Sequence, residues 1–294
     1  MKQFQYLTAL ADTQHFGRAA QRCHITQSTL SAGIRDLESV LGTAVAERSN
    51  RRVLITPFGL QVADRAKAVL REAEEVMEVA RAARSPMTGE MRLGVIPTIG
   101  PFVLPRVFPA LRERFPELTI YLREEQTAPL LTRLEDGELD AALIALPYDT
   151  DDLRIDVIME DELLFACNRN HALAGAGEVS LETLAGEQLM LLEEGHCLRG
   201  HTLDVCTTSD RRARAQFEAS SLLTMVQMVA AGVGVALIPK LAVDAHVTQS
   251  TGISLSRLGV PAVRQIGLVW RQTSLRTEEF RLLAGTLREL ADMG

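Results

Sequence analysis

Thr26-Gln27-Ser28-Thr29-Leu30-Ser31-Ala32-Gly33-Ile34-Arg35-Asp36-Leu37-Glu38-Ser39-Val40-Leu41-Gly42 decides how the N-terminal part of this chain folds. Leu30, Ile34, Leu37 and Leu41 recur by three and four residues, which predicts a helix over about Gln27 to Leu41 with a single apolar stripe. Thr26 is a good N-cap, because its side-chain oxygen can accept from a free N–H of the first turn. Gly42 stands at the C′ position, where a left-handed residue ends a helix. The opposite face carries Gln27, Ser28, Thr29, Ser31 and Arg35. These hydrogen-bonding side chains cluster in the N-terminal half, where a recognition helix meets base edges in the major groove.

The neighbouring residues fit that reading. Phe4, Leu7, Leu10 and Ala11 have helical spacing, a second short helix is predicted at about Gly17 to Cys23, and His24-Ile25-Thr26 makes a tight turn. Downstream, Ala44 to Arg48 and Val53 to Thr56 read as a hairpin around Ser49-Asn50-Arg51-Arg52. Such a hairpin is a wing, and Arg51 and Arg52 at its tip are placed to meet phosphates or the minor groove. Residues 1–58 are therefore expected to form a winged helix-turn-helix.

Charge supports the division. The 294 residues carry a net charge of −7, yet residues 1–58 hold seven basic side chains against four acidic ones, +3, which leaves −10 for the remainder. A basic module on an acidic body suits nucleic-acid binding by the module alone. Hydrophobic residues make up 47% of the chain, too many for disorder. No export signal or apolar run of membrane-spanning length stands out, so a cytoplasmic protein with no membrane partner is expected.

Thr56-Pro57 predicts the start of a long helix, with Thr as N-cap and Pro at the first helical position. Ala63, Ala66, Leu70, Ala73, Met77 and Ala80 then form a seam of mostly small residues, which predicts a linker helix over 59–84 that pairs two copies of the chain. Ser85-Pro86-Met87-Thr88-Gly89 reads as a hinge. From residue 90 to 294 the pattern changes to alternating strands and helices, an α/β regulatory domain with mainly parallel sheet. Two lobes are expected, lobe I over about 90–162 and 266–294 and lobe II over about 163–265, with a cleft between them.

Four cysteines occur, and two lie close together: Glu193-Glu194-Gly195-His196-Cys197-Leu198-Arg199, then Cys206. A cation beside Cys197 would favour the thiolate, the form that reacts with oxidants, and Cys206 is a local candidate to capture the product. The alternative is two ordinary thiols, since free cysteine is among the most buried residue types. A helix between them would hold their Cα atoms roughly 13 Å apart, whereas a disulfide needs about 7 Å or less. Oxidation would then have to unwind the segment. Cys23 and Cys167 read as small buried hydrophobes. His15, His24, His171 and His201 read as surface or capping residues, and no metal-ligand spacing is present.

Phe16-Gly17-Arg18-Ala19-Ala20, Ser28-Thr29-Leu30-Ser31 and Ile34-Arg35-Asp36-Leu37-Glu38 resemble the LysR-type transcriptional regulators. So does the order of winged helix, linker helix and bilobed, periplasmic-binding-protein-like effector domain. Within that family the chain is similar to the hydrogen-peroxide-sensing branch, through Ile96-Pro97-Thr98-Ile99-Gly100-Pro101, the Gly195 to Arg199 segment with Cys206, Val229-Ala230-Ala231-Gly232 and Ile266-Gly267-Leu268-Val269. The resemblance implies that peroxide oxidises Cys197 and that Cys206 is its disulfide partner. It implies that His196 lies beside the reactive sulfur, that Thr98 and Thr127 hold peroxide, and that Arg264 steadies the thiolate. It implies promoter DNA, RNA polymerase and further copies of the chain, in dimers and tetramers, as partners, no cofactor or metal, and an activator of an oxidative stress response rather than an enzyme. Gly200 departs from the branch, which commonly has an acidic residue there. A LysR-type regulator that senses a small metabolite between the lobes is the alternative. A thiol peroxidase would leave the DNA-reading module without a purpose.

Overall fold

The computed structural model describes all residues except 49–52, 83–85, 151–152, 207–216 and 293–294. The chain forms two compact units, Met1–Arg84 and Ser85–Gly294.

In the first unit, α1 (Lys2–Thr13), α2 (Phe16–Arg22) and α3 (Gln27–Leu41) are followed by a hairpin, β1 (Ala46–Arg48) and β2 (Val53–Ile55), and by the long α4 (Pro57–Ala82). Each boundary has a local cause. His15 Nδ1 accepts from the N–H of Gly17 and Arg18 and caps α2. Thr26 Oγ1 accepts from the Thr29 N–H and caps α3, and Gly42 ends it with φ 69°. Thr56 Oγ1 accepts from the Gly59 N–H at the start of α4. Leu30, Ile34 and Leu37 of α3 are buried with Leu7 and Leu10 of α1, Ala19 and Ala20 of α2, and Val45. A Cβ at Gly33 would fall 2.6 Å from the Tyr6 ring, so only glycine allows α3 to lie this close to α1. The predicted wing tip, with Arg51 and Arg52, lies outside the described residues.

The linker helix corrects one expectation. Ala63 and Ala66, the start of the seam assigned to a partner copy, are buried, and Ala63 belongs to the core of the first unit. Lys67 reaches Asp12 of α1 at 3.3 Å. Small residues there let α4 pack on α1. Leu70 and Ala73 are half-buried; the side chains of Met77 and Ala80 lie outside the description.

The second unit continues with β3 (Gly89–Val95), α5 (Gly100–Arg114), β4 (Leu118–Glu124), α6 (Thr127–Glu135), β5 (Ala141–Leu146), β6 (Leu153–Asn168), β7 (Glu178–Val179), α7 (Leu181–Ala185), β8 (Leu191–Leu192), α8 (Cys197–Cys206), β9 (Glu218–Ala219), α9 (Leu222–Ala230), β10 (Ala236–Pro239), α10 (Lys240–Asp244), β11 (Ile253–Leu258), β12 (Val263–Arg271) and α11 (Thr277–Asp292). Met87, inside the predicted hinge, is buried in this unit's core, and β3 already begins at Gly89.

The main sheet runs β4-β3-β5-β12-β6-β11-β7, with β10 also on β6. β3 pairs parallel with β4 and β5, as expected. β12 is antiparallel to both β5 and β6, and β10 and β11 are antiparallel to β6, so the sheet is mixed rather than mainly parallel. The cause is β6, which pairs with β12 along its first half and with β10 and β11 along its second. The late strand β12 thereby returns between β5 and β6. β5 is buried along its whole length, which is what a strand with neighbours on both edges and helices on its faces requires.

Candidate functional site

Three parallel strands, β3, β4 and β5, end on the same side of the sheet, where α/β proteins gather ligands. Thr98 lies in the turn after β3, Thr127 is the first residue of α6 just after β4, and Pro147 follows β5. Thr98 and Thr127 are both buried. Thr127 Oγ1 has no hydrogen-bond partner among the described residues, an unusual state for a buried hydroxyl. Glu125, just ahead of it, accepts hydrogen bonds from Arg123 and Arg133, which hold its carboxyl down at about pKa 2.

Arg264 on β12 is 1% exposed and is the largest fully buried side chain. Its Nε donates to Asp161 Oδ2 at 2.9 Å, Nη1 to Thr98 Oγ1 at 3.0 Å and Nη2 to the Thr98 carbonyl at 3.0 Å. Asp161 Oδ1 accepts from the Leu241 N–H. Burial pushes the Asp161 carboxyl up, against the pull of Arg264 and the Leu241 N–H. The guanidinium is thus shared between Thr98 and Asp161.

Cys197 and Cys206 are the first and last residues of α8. The nine steps between them span roughly 13 Å at 1.5 Å per residue, about twice the disulfide limit, and all four cysteines are free thiols. Both ends of α8 are half-buried and pack on the main core. Burial pushes the Cys206 thiol up, as it does for Cys23 and Cys167. Cys167 is buried as expected, whereas Cys23 is only half-buried.

The loop leading into α8 is tied to α6. Gln126 Nε2 donates to the Glu194 carbonyl at 3.3 Å. Gly195 follows with φ +94°, and a Cβ there would collide with the Gln126 amide. The two cationic candidates of this segment have partners of their own. Arg199 Nη1 donates to Glu218 Oε1 at 2.7 Å and to the Leu192 carbonyl, so it fastens α8 to β8 and β9. Burial lowers the His196 pKa, with Glu193 and a backbone bond at Ser220 opposing, which favours the neutral ring.

His201 is the residue the sequence misplaced. It is buried, and its Nε2 lies 3.4 Å from the Pro147 carbonyl oxygen. Its position four residues after Cys197 was the available signal. His171 is half-buried and accepts from the Leu173 N–H. Among the described residues no group of three or more His, Cys, Asp or Glu could hold a metal ion, and no helix is long and apolar enough to cross a membrane.

On the first unit, Gln27, Ser28, Thr29 and Arg35 of α3 are exposed, and Ser31 is half-buried between them and the core face. The helix therefore offers a polar surface opposite its buried stripe.

Residues 1–60 match the bacterial regulatory helix-turn-helix protein family, lysR, and residues 84–292 match the LysR substrate binding domain. The chain is 43% identical to a probable hydrogen peroxide-inducible genes activator of Mycobacterium avium, over 96% of this chain and 91% of that one. It is 36% identical to the HTH-type transcriptional regulator EstR of Acinetobacter baylyi, over 99% and 96%. A hydrogen-peroxide-bound OxyR mutant from Corynebacterium glutamicum superposes with a TM-score of 0.70 at 33% identity, covering 99% of this chain and 92% of that one. With both of its units matched and relatives aligned along nearly its full length, the chain belongs to the LysR family of bacterial helix-turn-helix transcriptional regulators.

Proposed function

We propose that this regulator binds double-stranded promoter DNA and is switched by hydrogen peroxide, which oxidises Cys197 to a sulfenic acid that Cys206 converts to a disulfide. The observation that carries the reading is the placing of the two cysteines at opposite ends of one helix. Closing that bond is impossible without taking α8 apart, so a small oxidant would produce a large change of shape. Thr98 and Thr127 hold the peroxide, Arg264 steadies the thiolate and His196 lies beside the reactive sulfur. Relatives and a solved neighbour whose names refer to hydrogen peroxide support the same chemistry.

On this reading Gln27, Ser28, Thr29, Ser31 and Arg35 meet base edges, and Arg51 and Arg52 meet phosphates. The chain acts as a dimer paired through its linker helix, and as a tetramer on paired half-sites, in contact with RNA polymerase. The two lobes of the regulatory domain, with the boundaries given above, turn relative to each other when α8 refolds. No chemical turnover is part of this role.

The deciding experiment is intact-protein mass spectrometry with stoichiometric peroxide. The expected result is the loss of two hydrogens in the wild type, mapped to Cys197 and Cys206, and none in Cys197→Ser. An unchanged wild type would instead favour a small metabolite as the signal, a reading kept in view by the similarity to EstR, whose name mentions no peroxide.

A further inference from the structure

His201 lies in the body of α8, four residues after Cys197 and therefore on the same helix face, where Cβ atoms are about 5–6 Å apart. Side chains on a helix lean over the turn N-terminal to their own, and for His201 that is the turn that opens with Cys197. The ring is buried. A carbonyl oxygen can only accept, so the bond to Pro147 makes Nε2 the protonated nitrogen and leaves Nδ1 as a bare lone pair. That Nδ1 is sealed from solvent and, like Thr127 Oγ1, has no hydrogen-bond partner among the described residues. Orphaned polar atoms of this kind mark a place where something else binds or reacts.

We propose that His201 is the general base and acid of Cys197 oxidation. This rests on the peroxide reading above. The Cys197 sulfur attacks one oxygen of a hydrogen peroxide bound between the two side chains, and its thiol proton is relayed through that peroxide to His201 Nδ1, which the sulfur does not touch in the resting state. The S–O bond forms as the O–O bond breaks, so sulfur loses two electrons and the peroxide gains them. Nδ1 then returns the proton to the leaving hydroxide, which departs as water. Thiol and peroxide thus become sulfenic acid and one water, with every atom accounted for.

The surroundings suit a base that does not keep its proton. Burial lowers the proton affinity of His201 most, the Pro147 carbonyl opposes it, Arg264 from β12 lowers it further, and Asp204 from α8 itself raises it. These surroundings favour the neutral ring, and a second cation near Arg264 is disfavoured. Arg264 is itself balanced by Asp161.

The test is the rate of Cys197 oxidation by hydrogen peroxide between pH 5 and 9, read by rapid quench and intact mass. It uses the full-length chain carrying Cys206→Ser, so that sulfenic acid accumulates. With His201 as the base, the rate falls as the pH drops through a pKa lower than that of an ordinary histidine and is level above it. His201→Gln keeps an amide donor for the Pro147 carbonyl and has no base. It is expected to react about 10²-fold more slowly at pH 7, with a rate that climbs with pH as the thiolate fraction grows and regains the wild-type rate in the alkaline range. A purely structural role would not produce that alkaline recovery. A variant that matches the wild type in rate and profile overturns the proposal while leaving the peroxide reading intact. So does a wild-type rate that climbs steadily through pH 5–8 without an inflection, a result that needs no variant to fold. A wild type that does not oxidise at Cys197 overturns both.

Discussion

Arg264 and Asp161 are each only 1% exposed at the side chain, and their ion pair closes at 2.8 Å. A buried pair of this kind is weak evidence for added stability, since desolvation offsets much of the attraction. Its worth lies in specificity: the remaining guanidinium donors fix both the hydroxyl and the carbonyl of Thr98. Removing one partner is a different matter, because the other is left charged in a dry site. Asp161→Asn is expected to cost about 3–5 kcal/mol, seen as a lower urea midpoint for unfolding of the reduced protein. Arg264 was legible in the sequence only through resemblance, and its partner Asp161 not at all. Single residues announce their chemistry, but a pair 103 positions apart in the chain is made by the fold. The same holds for His201. A histidine in a short polar helix reads as surface until the strand end at Pro147 covers it.

At the scale of elements, periodicity served well where one face of a helix meets a core. The limits of α3 and the start of α4 follow from Thr26, Gly42, Thr56 and Pro57, whose roles are local. β6 is most legible from Leu163 to Cys167, an unbroken apolar run. Leu153 to Val157 alternates apolar and charged residues as a strand does, but the charged run Glu160-Asp161-Glu162 separates it from Leu163 to Cys167, and the two stretches form one strand because β12 returns beside the first. The linker seam was misread for a related reason. Small residues at helical spacing mark a close contact without saying whose. Ala63 and Ala66 face the chain's own core, while Val69 and Val76 remain 45% and 66% exposed, seven residues apart on one side of α4. That valine side is the better candidate for a partner helix. Val76→Glu is expected to weaken dimerisation, measured by sedimentation at micromolar concentration. An unchanged sedimentation coefficient would remove α4 from the interface. Gly200 permits a finer test on α8. A Cβ there meets nothing within 4 Å, so Gly200→Ala adds helix propensity, about 1 kcal/mol, with no steric cost. The reduced helix is stabilised, and the disulfide midpoint potential is expected to rise by about 20 mV in a dithiol redox titration.

At the scale of the whole molecule, the question is how an event at one sulfur alters the grip on DNA. α8 is held by three kinds of attachment: Arg199 to Glu218 and Leu192, the Gln126 bond to the preceding loop, and the packing of Cys197 and Cys206 on the core. A disulfide between its ends cannot coexist with the helix, so oxidation must release at least part of this set. Packed cores rearrange between discrete states rather than bending, which makes a second arrangement of the regulatory domain the expected outcome. On the proposed reading, that change in an oligomer would reposition the paired reading heads along the duplex. A DNase I footprint should therefore shift when peroxide is added to the wild type. Cys197→Ser should bind DNA in the reduced pattern and ignore peroxide. Cys206→Ser should form sulfenic acid without the covalent lock, and so respond more weakly or briefly. Cys23→Ser and Cys167→Ser should respond almost as the wild type does, because neither thiol lies on α8. A footprint that moves equally in Cys197→Ser would place the signal elsewhere in the regulatory domain, and a ligand between the lobes would then have to supply the differential binding that any such shift requires.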